Sequence, residues 1–199
     1  MKKLLFLLGL LPLLAMSGFA QESRQDLSMS FVGTLQPTVT GNAVTQSSTK
    51  GIGDLIEYRF MLNPSNALEG NYQYSQFTQK YVAPFSNARI HTRFQEGSVA
   101  FVHSFVYKKF NPFIDGGVGL FFFNPIDDTH TTTLLAKHDT EMGLIMGGGI
   151  AYELSPSWDL RVEYRGIVMK DNFFGMNIYD TNRFEWIMSQ PAVGVAYHF

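Results

Sequence analysis

The last nine residues of the chain alternate between two kinds of side chain, and this pattern constrains the fold more than any other. Val193, Val195, Tyr197 and Phe199 occupy every second position, with small or polar residues between them. A period of two belongs to a β-strand that has one apolar face and one polar or tightly packed face. The segment therefore predicts a strand that is covered by apolar surroundings on one side only.

The same alternation recurs along the chain and predicts eight strands. The clearest is the seventh, where Trp158 and Leu160 share one face while Asp159 and Arg161 share the other. In the fourth strand the facing stays open, because both alternating sets are apolar and one of them contains His103. The predicted strands are 27–36, 53–62, 68–77, 97–107, 113–123, 142–154, 158–168 and 186–199.

The connections between these strands differ regularly in length. Short turns at 63–66, 108–112 and 155–157 alternate with longer polar segments, which are 41–50, 79–93, 124–140 and 170–183. No run of 18 apolar residues follows the N-terminal segment, so a closed barrel is the remaining way for the chain to cross a bilayer. The sequence predicts an all-β fold, a closed antiparallel up-and-down transmembrane β-barrel of eight strands.

The N-terminus has the pattern of an export signal. Lys2 and Lys3 precede an apolar stretch at 4–14, and a small-x-small cleavage site follows at 18–20. We therefore expect residues 1–20 to be a signal peptide and residues 21–199 to form one barrel domain. The chain contains no cysteine, which excludes disulfides and thiolate metal sites. The net charge of −2 gives no reason to expect nucleic acid as a partner.

Three segments, 113–121, 147–152 and 160–166, together with the terminal alternation, resemble the OmpA/OmpX-type eight-stranded outer-membrane barrels of Gram-negative bacteria. The resemblance implies location in the outer membrane, in contact with its lipid and lipopolysaccharide. It also implies that Val193, Val195, Tyr197 and Phe199 form the signal read by the barrel-assembly machinery, after delivery by periplasmic chaperones. We expect the protein to be a monomer. It implies no single function, because barrels of this kind host pores, adhesins and enzymes alike.

A soluble lipocalin-like barrel is the structural alternative, since it would turn the apolar face toward an internal ligand cavity. Two features favour the membrane. Tyrosine and tryptophan lie near strand ends, where aromatic girdles meet the two membrane surfaces; they are Trp158, Tyr152, Tyr107, Tyr197 and Trp186. The opposite face carries charges that could pair with one another inside a barrel.

The predicted inward charges are Glu57, Arg59, Asp115, Arg161, Glu163 and Arg165. An eight-stranded barrel is just wide enough for its side chains to fill it, and buried charges must be paired. The pattern favours an arginine–carboxylate network that plugs the lumen. The alternative function for the same residues is a narrow or gated polar path.

Other candidate sites are weaker. A lipid-modifying hydrolase of the outer membrane would need a serine beside a histidine base, but the adjacent residues His103 and Ser104 point to opposite faces of a strand. The loop residues Asp127, Asp128, His130, His138 and Asp139 could gather a metal but have no fixed ligand spacing. Segment 172–176 is interpreted as an exposed aromatic contact site or as a lipid-inserted strand end. We interpret Phe121, Phe122 and Phe123 as part of a girdle.

The sequence thus predicts a non-enzymatic outer-membrane barrel that has a structural or surface-interaction role and needs no cofactor or metal. The first alternative is a narrow porin-like channel for small solutes. A lipid A-modifying enzyme and a soluble periplasmic binder are the others.

Overall fold

The alternating segments form ten β-strands and one short 3-10 helix in the computed structural model, which describes residues 24–132 and 135–199. The predicted signal peptide lies outside the described residues. The elements are β1 Gln25–Thr34, β2 Val39–Gly41, β3 Val44–Ser48, β4 Gly51–Asn63, β5 Asn66–Ala83, β6 Ser86–Ser104, β7 Phe110–Ile126, β8 Asp139–Ser155, β9 Trp158–Lys170, the 3-10 helix Asn177–Tyr179 and β10 Phe184–His198.

Eight of these strands close into a barrel. Their order is β5-β4-β1-β10-β9-β8-β7-β6, each neighbour is antiparallel, and the pairing of β6 with β5 closes the sheet. The predicted eight-stranded antiparallel barrel is therefore confirmed. The hairpin of β2 and β3 adds to β5 beyond the end of β4. None of the helical segments within the described residues is long and apolar enough to span a membrane.

The predicted facing of the side chains is confirmed in the barrel strands. On β1, Leu27, Met29 and Phe31 are exposed on the outer surface, while Ser28 and Ser30 are buried inside. On β6, where the sequence left the facing open, Val99 and Phe101 point outward, and Ala100 and Val102 point inward. The outward apolar residues together form the lipid-facing band.

One end of the barrel carries the short turns and the other carries the longer connections, and we call them the short-turn end and the cap end. An aromatic girdle surrounds the barrel at the short-turn end. There the ring centroids of Trp158 and Tyr197 lie 5.0 Å apart, and Tyr107 and Tyr152 are exposed. This part of the girdle prediction is confirmed. The side chain of Trp186 is not among those described.

The predicted long connection at 79–93 is wrong. β5 continues to Ala83 and β6 begins at Ser86, so only Pro84 and Phe85 join them. This hairpin projects past the lipid-facing band at the cap end. Beyond the lipid the outer face of a strand meets water, so the apolar alternation on which the prediction relied is no longer required.

The predicted loop at 41–50 also contains regular structure. β2 and β3 turn at Asn42 and Ala43, whose φ angles of 48° and 60° lie in the left-handed region. Positive φ at both central residues matches the two-residue hairpin turns that follow the natural twist of the strands. β3 occupies the place beside β5 that β4 leaves empty, and it covers the edge of the projecting hairpin.

Gly117 on β7 is one inward position at which the curvature of a small barrel requires glycine. A Cβ atom there would lie 2.1 Å from the carbonyl oxygen of Val99 and 2.6 Å from the Cα of Ala100, and neither backbone atom can yield. We expect Gly117→Ala to destabilise the barrel by about 1–3 kcal/mol. Gly97→Ala is the matched control, because its Cβ would meet no atom within 4 Å. Urea unfolding in detergent measures both, and equal losses would contradict this explanation.

Candidate functional site

The half of the lumen toward the short-turn end is filled by paired charges. Arg161 lies 3.2 Å from Asp26 and 3.5 Å from Glu57, which also accepts a hydrogen bond from the hydroxyl of Ser28. The inward faces of β1, β4 and β9 place these groups together because their registers align them. These four side chains are 5% exposed or less. Because water cannot solvate the buried carboxylates, Arg161 supplies the countercharge that they need. The charge layer is our name for Asp26, Glu57, Arg59, Glu69, Glu96, Asp115, Arg161, Glu163 and Arg165.

A second group of the charge layer centres on Arg165, which is 0% exposed. Its guanidinium contacts Glu96 from across the lumen and has its Nε 3.4 Å from Glu163 on the same strand. Arg59 pairs with Glu69 and lies over the ring of Phe113, with 4.3 Å from its Cζ to the ring centroid.

The structure places all six predicted lumen charges inside the barrel. It pairs Arg161 with Glu57 and Arg165 with Glu163. Arg59 instead pairs with Glu69, which was not among the predicted lumen charges. Neither carboxylate oxygen of Asp115 has a hydrogen-bond partner among the described residues. The carboxylate lies over Gly147, where a Cβ would come within 2.8 Å of it.

Sequence reasoning missed three acids of the charge layer, Asp26, Glu69 and Glu96. Asp26 and Glu96 fall just outside the predicted strands, and both belong to strands that begin earlier than predicted. Glu69 lies on the inward face of its predicted strand. Its alternation with apolar residues was therefore a signal that could have identified it.

The half of the lumen toward the cap end is filled by a different kind of layer. The ring of Phe94 is 0% exposed and lies 5.2 Å from Phe123, 6.1 Å from Phe121 and 6.0 Å from Phe77, measured between centroids. Such rings pack densely and leave little room for water. We call this layer the aromatic plug; it also contains Tyr81, Ile90, Ile145, Ile167, Met169, Phe174, Tyr179 and Met188.

The aromatic plug corrects the interpretation of Phe121, Phe122 and Phe123 as a girdle. Only Phe122 faces outward, and Phe121 and Phe123 are both 0% exposed inside the barrel. Successive residues of a strand point to opposite faces, so three consecutive phenylalanines must divide between lipid and lumen.

The aromatic segment at 172–176 also differs from both interpretations. Phe174 is fully buried in the aromatic plug, and Asp139 accepts hydrogen bonds from the backbone N–H groups of Phe173 and Phe174 at 3.1 Å. The segment therefore folds into the mouth of the barrel. We call residues 171–183 the cap.

Side-chain hydrogen bonds hold the cap in place. The amide of Asn172 exchanges hydrogen bonds of 2.9 and 3.1 Å with that of Gln79, and its oxygen also accepts from Gln46. The hydroxyl of Tyr81 donates to the backbone carbonyl of Asn172 at 2.8 Å. Since the polar groups of this buried asparagine are bonded, the cap can close the lumen at little desolvation cost.

Asp171 gives the cap a dependence on pH. Burial raises the pKa of this carboxyl from 3.8 to about 7, aided by Glu185 and Asp180 and opposed by hydrogen bonds from Thr181 and Gln46. The folded cap therefore holds a proton that the unfolded chain releases, so its stability falls as pH rises from about 4 to about 7. We expect the free energy of opening of the cap, measured by hydrogen exchange, to fall by at least about 1 kcal/mol across this window.

The Asp171→Asn variant keeps an acceptor for Thr181 and removes the titration, so its cap should show little change in stability over the same range. Mass-spectrometric hydrogen exchange, corrected for the intrinsic pH effect, measures this difference. Asp127→Asn, at an exposed loop position, should behave as the parent protein does. A cap whose stability is independent of pH in the parent protein would contradict the role of Asp171.

The residues considered for a metal site do not come together. Asp128 contacts His91 at 2.5 Å, and this hydrogen bond holds the pKa of its carboxyl below the ordinary value. Asp139 instead binds the cap, and no group of three or more metal-binding side chains occurs in the described parts of the chain. His103 contacts Asn66 at 2.8 Å and not Ser104, as expected for neighbours on opposite faces.

A cavity of about 190 Å³ opens at the short-turn end, below the charge layer. Asp26, Arg59, Arg161, Asp159 and His198 are among its lining residues, and the last two are joined at 2.9 Å. The arrangement can admit water and small ions to the lower lumen. The charge layer lies directly above this cavity, and the aromatic plug lies above the charge layer.

Several solved outer-membrane barrels share this architecture. OprG from Pseudomonas aeruginosa aligns with a TM-score of 0.68 at 10% identity, covering 90% of this chain and 97% of its own. Neisserial surface protein A gives 0.62 at 16% identity, with 89% and 98% covered. The N-terminal barrel of OprF from Pseudomonas aeruginosa gives 0.51 at 12% identity, with 90% and 100% covered.

A search of curated protein sequences finds no match. The family model described as the outer membrane protein beta-barrel domain matches residues 6–199. Together with the closed barrel and its lipid-facing band, this match shows that the chain belongs to the outer membrane protein β-barrel family.

Proposed function

We propose that the protein is a non-conducting barrel that acts at the cell surface in a structural or interaction role and has no enzymatic activity. The observation that supports this proposal most strongly is the filling of the lumen by two layers of different chemistry. The charge layer occupies one half, the aromatic plug occupies the other, and the cap closes the mouth above them. A solute would have to displace all three.

The cap end offers surface for contact with other molecules. Phe85, at the tip of the β5–β6 hairpin, is 98% exposed, and Leu135 and Ile178 are also exposed beyond the lipid-facing band. Large apolar side chains at this position meet neither lipid nor core, and groups of them commonly mark interaction sites. These residues support a role in surface interaction.

The entry of small sugars into liposomes tests the closed lumen. Liposomes that contain the protein should swell no faster than protein-free liposomes. The double variant Phe94→Ala, Phe121→Ala removes two rings from the aromatic plug but leaves the charge layer in place, so it should not admit the sugars either. Its fold is checked by the shift in gel mobility between boiled and unboiled samples. Swelling by the unaltered protein would instead support the alternative function, a narrow channel for small solutes.

The narrow channel remains the second candidate because of the cavity at the short-turn end. This cavity brings solvent to the charge layer, so passage to the cap end would require rearrangement of the paired side chains, of the aromatic plug and of the cap. A channel would therefore have to be gated. Swelling that appears only under a particular pH or voltage would favour this candidate.

A further inference from the structure

Three cations lie on the outer wall of the barrel, beyond the lipid-facing band. Even-numbered residues of β5 and odd-numbered residues of β6 face outward here, so Lys80, Arg89 and Arg93 share one surface. Lys80 and Arg89 are directly opposite each other across the two strands. None of the three forms a salt bridge with residues 24–132 or 135–199. We call this surface the cationic strip.

The edge of the lipid-facing band fixes the depth of the strip. The hydroxyl of Tyr72 accepts a hydrogen bond from Gln95 at 2.8 Å, and that of Tyr74 accepts one from Gln76 at 2.5 Å. Tyrosines with the ring in lipid and the hydroxyl in a polar layer are typical of the membrane interface. Arg93 is the next outward residue after Gln95 and is paired with Gln76, so it lies at the level of lipid headgroups.

Lys80 and Arg89 lie farther from the membrane. Arg89 precedes Arg93 by four residues and lies about 13 Å farther along the strand toward the cap end. They line a shallow pocket of about 450 Å³ that also includes Val82, Asn87 and Thr132. The Nε atom of Arg89 is buried and has no hydrogen-bond partner within the described chain. An unpaired donor beside a second cation is the chemistry that binds a phosphate group.

The nearby acid is already engaged. His91 lies between Arg89 and Arg93 on the same face, and it contacts Asp128 at 2.5 Å. Asp128 is therefore paired with His91, and within the described residues no acidic side chain pairs with Arg89 or Arg93 on either side of this histidine. Like charges directly opposite each other in a sheet repel, so an anion between Lys80 and Arg89 would relieve this repulsion.

In outer-membrane barrels the short turns face the periplasm and the longer connections face the outside, so the cap end lies on the side of the outer leaflet. We propose that the cationic strip binds the phosphorylated headgroup of lipopolysaccharide in this leaflet. The ligand must carry negative charge at two depths, because Arg93 lies at the headgroup level and the pocket of Lys80 and Arg89 lies above it. A simple phospholipid reaches only the lower position, whereas a phosphorylated glycolipid reaches both. The proposal does not depend on whether the lumen conducts.

Binding of purified lipopolysaccharide to the detergent-solubilised protein tests the proposal. The double variant Lys80→Gln, Arg89→Gln should bind it about 10- to 30-fold more weakly than the parent protein, since each cation near a lipid surface contributes about 1 kcal/mol. Arg93→Gln should cause a smaller loss. The matched control is Lys108→Gln, Lys109→Gln, which removes the same charge from exposed residues at the short-turn end. Its affinity should equal that of the parent protein.

Two further probes separate the sources of the anion. Inorganic phosphate and sucrose octasulfate, both soluble, should bind far more weakly than lipopolysaccharide. A preference for either soluble anion would overturn the assignment to a lipid, and so would equal losses in the control and the double variant. Unchanged gel mobility shifts in all variants ensure that a loss of binding is not a loss of fold.

Discussion

Replacing Arg165 by methionine is expected to lower the free energy of unfolding by about 3–5 kcal/mol, because the substitution leaves buried carboxylates without a countercharge. The guanidinium is fully buried and contacts both Glu96 and Glu163. Methionine fills much of the volume but offers neither charge nor hydrogen-bond donors. Urea unfolding in detergent, followed by tryptophan fluorescence, measures the loss.

Two variants separate charge pairing from packing. Arg93→Met is the matched control at an exposed position, and its effect should stay within about 0.5 kcal/mol. Adding Glu96→Leu to Arg165→Met should recover part of the stability, since a buried pair is often replaced by apolar residues with little loss. If Arg165→Met and Arg93→Met behave alike, the charge layer does not stabilise the barrel as described.

Truncation of Phe94 to alanine is expected to cost about 3–5 kcal/mol, through loss of buried apolar surface and formation of a cavity. Phe94 touches three other phenylalanine rings at the centre of the aromatic plug. Phe85→Ala makes the same chemical change at a side chain that is 98% exposed, and we expect an effect within about 0.5 kcal/mol. The same unfolding assay compares the two.

The contrast between these two variants matters more than either value. A well-packed plug cannot lose its central ring without rearranging the rings of Phe121 and Phe123. A small effect of Phe94→Ala, close to that of Phe85→Ala, would mean that the upper lumen is loosely filled. The proposal of a closed barrel would then lose its main support.

The sequence predicted the barrel and the facing of its strands well, because both follow from a period of two. Leu27 and Met29 had to face one way, and Arg161 and Glu163 the other. The cap-end structure was harder to predict. Above the lipid the outer face of a strand meets water, so polar residues such as Gln79 and Lys80 were interpreted as loop although they belong to β5.

The aromatic plug could not be predicted from alternation alone. Phe121 and Phe123 are as apolar as the lipid-facing residues, and hydropathy does not distinguish a ring in lipid from a ring in the lumen. Only the register of β7 against β6 separates them. Likewise, Phe174 lies in a polar segment, and its burial depends on contacts that are distant in sequence. The charges of the lower lumen were easier to select, since lipid would exclude them.

Single-channel recording in planar bilayers tests the closed lumen most directly. We predict that the unaltered protein, inserted and folded, gives no current steps above the bare bilayer at any moderate voltage. The double variant Phe94→Ala, Phe121→Ala should also stay closed, because the charge layer still fills the lower half of the lumen. Stable openings by the unaltered protein would contradict a lumen closed by the charge layer, the aromatic plug and the cap.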